Sequence, residues 1–81
     1  MQERIEQALQ REAIDEAVTL ARDWAATAPD DANAQRALAI VLARAGDAEA
    51  AMVALDQAIL LAPEDAAMHF ERAVLLLRTQ D

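Results

Sequence analysis

The two prolines of this chain, Pro29 and Pro63, stand 34 residues apart, and each is followed at once by an acidic pair, Asp30-Asp31 and Glu64-Asp65. Proline lacks a backbone N–H and its ring clashes with the preceding turn, so each one stops a helix, and the acidic pair supplies a cap for the next. The same offset pairs Ala17 with Ala51, Asp31 with Asp65, Ala32 with Ala66, Ala39 with Ala73, Arg44 with Arg78 and Asp47 with Asp81. Alanine coincidences carry little weight in so alanine-rich a chain. The proline, aspartate and arginine coincidences carry more, and a period of about 20 to 50 residues marks architectures in which one supersecondary unit stacks on the next. Between the prolines lies the only glycine, Gly46, followed by Asp47 and, in the next turn, Glu49. A glycine ends one helix, a carboxylate caps the following one, and a second negative charge sits at the positive end of its dipole. This punctuation predicts helices near 2–10, 13–27, 32–45, 48–61 and 66–79.

Composition closes off the alternatives. Eighty-one residues make one small domain. The chain is 56% hydrophobic but only 2% aromatic, the difference being largely alanine, the strongest helix former. With one glycine and two prolines it lacks the turn residues of a multi-stranded sheet, so an all-α fold is expected. Seven basic residues against fifteen acidic ones leave a net charge of −8, which repels phosphate backbones and anionic lipid. Neither a nucleic-acid nor a membrane partner is expected. Serine, cysteine, lysine and tyrosine are absent, which removes most covalent nucleophiles. Three threonines and the single histidine, His69, make no triad, since the nearest hydroxyl, Thr79, lies ten residues on. Without cysteine or a second histidine a zinc site would rest on carboxylates alone. The chain is therefore read as a non-enzyme without cofactor or metal. Its first residues, Met1 to Gln7, do not form a signal peptide. The longest apolar runs, Ala37 to Ala43 and Ala73 to Leu77, fall far short of the roughly 20 residues that cross a bilayer. A cytoplasmic protein is the default expectation.

From Asp31 to Asp65 the chain reads DANAQRALAIVLARAGDAEAAMVALDQAILLAPED. This segment resembles the tetratricopeptide repeat in Leu38-Ala39, in Leu42 and Leu55 at two aromatic positions, in Ala51, Ala58 and the closing Pro63. Gln35 departs from the pattern, standing where the family prefers tryptophan. Ile14-Asp15-Glu16-Ala17 is similar to the start of a second helix in that family, and Ala66 to Asp81 fits one further first helix. The resemblance implies a single domain over 1–81, with a partial first repeat in 1–30, a complete repeat in 31–64 and the opening helix of a third in 65–81. It also implies antiparallel hairpins stacked as a short right-handed solenoid of about five helices. Within it Leu38, Leu42, Ala51, Leu55, Ala58 and Ile59 recur at three- and four-residue spacing and should face each other across a hairpin. In the first repeat Ala21 occupies the register of Leu55 and Trp24 that of Ala58, so the indole is expected to fill the volume Ala21 leaves. His69 is expected to be a packed histidine.

In this family the first helix of each pair lines a concave groove that holds partner peptides. Carried onto this chain, the groove would comprise Asn33, Arg36, Ile40, Ala43 and Arg44, then Ala67, Phe70, Val74, Leu77 and Arg78, with Gln2, Glu6, Leu9 and Gln10 from the first helix. Such a surface is apolar with an arginine rim, suited to a helix or extended peptide with apolar anchors and some acidic groups. The subclass that clamps a C-terminal carboxylate between lysines and asparagines is not expected, since the chain has no lysine and one asparagine. The run Val74, Leu75, Leu76 and Leu77 is apolar on every side of its helix, and the expectation is that it forms an oligomer interface. The leading functional expectation is a protein–protein interaction module. The alternative is a structural oligomerisation domain, a homodimer through the last helix, in a larger bacterial protein.

Overall fold

Alanine-rich segments bounded by capping carboxylates satisfy their backbone hydrogen bonds most readily as helices. The computed structural model describes residues 2–79. Over them the chain forms five α-helices and, among the described residues, no strand: α1 (Gln2–Gln10), α2 (Ile14–Thr27), α3 (Ala32–Arg44), α4 (Ala48–Leu61) and α5 (Ala66–Thr79). Each boundary lies within one residue of the position read from the sequence. The radius of gyration is 11.8 Å, close to the roughly 12 Å of a compact chain of this length.

The 34-residue offset of the sequence reappears in the backbone hydrogen bonds. At the end of α3 the Gly46 N–H donates to the Ala43 carbonyl and the Asp47 N–H to that of Leu42, at 3.1 and 2.9 Å, with Gly46 at φ +89°. At the end of α1 the Glu12 N–H donates to the Leu9 carbonyl and the Ala13 N–H to that of Ala8, at 3.0 and 2.8 Å, with Glu12 at φ +60°. Both are left-handed helix endings that satisfy the last carbonyls. The glycine of the second hairpin is a glutamate in the first, so the backbone there adopts a conformation that strains a side chain. The proline breaks match likewise. The Asp31 carboxylate accepts from the Asn33 N–H at 2.9 Å, and Asp65 accepts from the Ala67 N–H at 3.0 Å. Asp47 caps α4 by accepting from the Ala50 N–H at 3.1 Å, whereas Ala13 gives α2 no side-chain cap.

Nine of the fifteen buried apolar residues are alanine, so helices approach through short side chains rather than through interlocking large ones. One cluster joins α3, α4 and α5 through Ala39, Leu42, Ala51, Ala54, Leu55, Ala58, Met68 and Leu75, with Leu38 and Ile59 against it. The other joins α1, α2 and α3 through Ile5, Ala8, Ala17, Ala21 and Val41, and the half-buried Trp24 packs on it. Val18 and Leu38 touch both. Extensive backbone contact among the described residues falls between helices consecutive in sequence.

Two expectations are corrected. His69 is exposed rather than packed, and its Nε2 lies 2.8 Å from the Pro63 carbonyl oxygen. Since a carbonyl only accepts, the ring donates from Nε2 and ties α5 to the loop that follows α4. The buried position falls one residue earlier, on Met68, which is 1% exposed. Leu75, expected on an oligomer interface, is 5% exposed and lies inside the C-terminal cluster. A helix with apolar residues on all sides must bury one of them, and the spacing of seven from Met68 sets Leu75 on the face turned to α4.

Candidate functional site

With three or four residues between helices, each hairpin returns the chain alongside itself, so α3 and α5 run in the same direction with α4 between them in sequence. Between α3 and α5 lies a groove of about 470 Å³, lined by Ile40, Ala43 and Arg44 from α3 and by Phe70, Glu71, Val74 and Arg78 from α5. Ala39, Leu55 and Leu75 also line it. Phe70, Val74 and Arg78 follow one another at four-residue spacing and share a stripe of α5, as Ile40 and Arg44 share one on α3. Phe70 is 70% exposed, so its ring is available to a partner.

A second hollow of about 250 Å³ opens between α1 and α3, lined by Gln2, Ile5, Glu6 and Leu9 on one side and by Asn33, Arg36, Ala37, Ile40 and Val41 on the other. Ile40 borders both. The two hollows follow the odd-numbered helices α1, α3 and α5, with an apolar stretch toward α5 and a more polar one toward α1.

Electrostatics separates the arginines into two kinds. Arg36 donates from Nε to Glu71 Oε1 at 2.8 Å, tying α3 to α5 through a pair that is partly buried on both sides. Arg72 is engaged with Asp56 of α4 at 2.8 Å, and Arg11 with Glu16. Arg44 and Arg78, like Arg4 and Arg22, have no carboxylate within ion-pair distance among the described residues. Both stand in the last turn of their helices, at the same end of the larger groove, where a positive charge also complements the helix dipole.

The residues read from the sequence thus fall into three groups. Ile40, Ala43, Arg44, Phe70, Val74 and Arg78 meet in the larger groove, and Asn33 and Arg36 lie in the smaller one. Ala67, Leu77 and Gln10 border neither. Leu77 is 68% exposed, and its spacing of seven from Phe70 keeps it beside that ring on α5. Glu71 escaped the sequence reading because its role depends on Arg36 on a different helix. Leu55 escaped it because a residue in the floor of a groove carries the pattern of a core residue.

Nothing in the site has the make-up of a metal centre. Among the described residues no three His, Cys, Asp or Glu side chains come close enough together to hold an ion. No described helix is long and apolar enough to cross a membrane. No protein-family model matches this sequence, and no curated protein or solved structure matches it significantly.

Proposed function

We propose that this chain is a protein–protein interaction module of tetratricopeptide type, a short right-handed stack of helix hairpins whose groove along α1, α3 and α5 takes a segment of a partner protein. The observation that carries the reading is the larger groove itself. Its walls are apolar at Ile40, Ala43, Phe70 and Val74, and it ends in two arginines without carboxylate partners among the described residues. In a chain with net charge −8 such a pair is a local exception. It suits a partner segment, helical or extended, that sets apolar side chains on Phe70 and Val74 and an acidic group between the guanidinium groups. The repeated hydrogen-bond pattern at both hairpins and both proline breaks supports the stacking. Residence in the cytoplasm accords with a role of this kind.

Selection from a random-peptide display library against the folded chain tests the proposal. Peptides that bind should be enriched in apolar residues followed by aspartate or glutamate. Arg44→Ala or Arg78→Ala should weaken them about five- to tenfold, as loss of a charge-assisted hydrogen bond does. Val74→Glu should abolish binding, and Thr19→Ala on α2 should leave it unchanged. Selected peptides indifferent to all three groove substitutions would refute the assignment.

A further inference from the structure

The two hollows occupy equivalent places one period apart. Ile40 and Val41 line the smaller one, and the residues 34 positions on, Val74 and Leu75, line the larger. On the opposite wall, Ile5 and Leu9 of the smaller hollow correspond in the same way to Ala39 and Ala43 of the larger. Each exchange removes three side-chain carbons. The larger hollow accordingly holds about 470 Å³ against about 250 Å³, and it reaches down to the buried side chains of Leu55 and Leu75. The wall of α3 is thus cut away where that of α1 is filled, and the space so made is bordered by the exposed ring of Phe70.

We propose that this space receives an aromatic side chain of the partner segment, with a carboxylate close to it, and that Ala39 and Ala43 are the residues that set this preference. The inference rests on the peptide-binding reading and adds what the segment must carry. Size selects the ring. A side chain too small for the space leaves the walls without partner atoms on one side, and those contacts are lost. An aromatic side chain brings about 150 to 250 Å² of surface to bury, and the ring of Phe70 offers it an offset or edge-on partner. Position selects the carboxylate. Arg44 and Arg78 stand four residues beyond Ile40 and Val74, about 6 Å along their helices. Toward the other end of the groove Glu71 is held by Arg36, so a carboxylate is favoured at the arginine end alone.

Phenylbutyrate, a benzene ring joined to a carboxylate by a flexible chain, probes the space without any selected peptide. Titrated into the isotope-labelled chain, it should shift the backbone amide signals of the residues lining the larger groove. It should bind about tenfold more tightly than phenylbutanol, which lacks the carboxylate, or butyrate, which lacks the ring. Ala43→Leu, which copies Leu9 into the larger groove, should weaken phenylbutyrate about tenfold. Ala43 is half-buried and leucine favours helix, so far-UV circular dichroism should not change. Phe70→Ala replaces an exposed residue and should weaken binding about fivefold. Arg78→Ala should weaken phenylbutyrate about fivefold and phenylbutanol not at all. Peptides selected on the folded chain should carry an aromatic residue near the acidic one, and those selected on the Ala43→Leu chain should not. Phenylbutyrate that binds no better than butyrate, or equally well to the Ala43→Leu chain, overturns the proposal. Selected peptides that need the arginines but carry no aromatic residue overturn it as well and leave the peptide-binding reading intact. A ring bound as described, with no peptide selected, supports the site and overturns the peptide reading alone.

Discussion

Leu55→Ala removes the one large side chain of α4 that is fully buried, 2% exposed, in the cluster holding Ala39 and Leu42 of α3 and Met68 and Leu75 of α5. Three carbons lost at about 0.8 kcal/mol each amount to roughly 2.4 kcal/mol of transfer free energy. The buried neighbours on α3 and α4 are mostly alanines, which have no side chain to swing into the gap, so much of the vacated space persists. If about half of roughly 80 Å³ stays empty, the cavity adds about 1 kcal/mol, for a total near 3.4 kcal/mol. A chain of 81 residues has a total stability of about 4 to 12 kcal/mol, so this is a large part of it. Urea denaturation followed by far-UV circular dichroism and by the fluorescence of Trp24 reads the effect. Trp24 belongs to the other cluster, which Val18 and Leu38 join to the first. Both probes should therefore move to the same lower midpoint with an unchanged slope. A loss below about 1 kcal/mol would refute the role given to Leu55. A shift in circular dichroism without one in Trp24 would refute the coupling of the two clusters.

Glu12 occupies a left-handed position at φ +60°, so Glu12→Gly should stabilise the chain by about 1 kcal/mol, seen as a higher thermal midpoint. Adding Ala13→Asp, which copies the Asp47 cap onto α2, should contribute about 1 kcal/mol more. Gly46→Ala should act oppositely. A Cβ there meets nothing within 4 Å, so the loss of about 1 kcal/mol comes from the backbone at φ +89° alone. Arg36→Ala should lower stability by no more than about 1 kcal/mol, because its pair with Glu71 is partly solvated, and the effect should shrink in high salt. A larger, salt-independent loss in denaturation experiments would contradict that reading.

Where helices begin and end was legible because the determinants are local. Pro29, Pro63, Gly46 and the capping Asp31, Asp47 and Asp65 act on backbone groups one to four residues away. The groove stripe was legible for a related reason, since four-residue spacing alone puts Phe70, Val74 and Arg78 on one side of a helix. The run from Ala73 to Leu77 was not legible in the same way. Periodicity says nothing where every residue is apolar, and only the surface of α4 decides that Leu75 turns inward while Leu76 and Leu77 stay out. The pair Arg36 and Glu71 is 35 residues apart in the chain, and its formation depends on how α3 and α5 lie together. The strained turn at Glu12 carries no glycine to announce it, and its left-handed backbone becomes intelligible only beside Gly46 one period later.

In the proposed stack successive hairpins share one geometry, and residual dipolar couplings of the backbone amides measure it by giving the directions of all five helix axes in solution. A single rotation should carry α1 and α2 onto α3 and α4, and the same rotation should carry α3 onto α5. An α5 whose axis lies across α1, related to α3 by a different rotation, would contradict the stack and with it the groove.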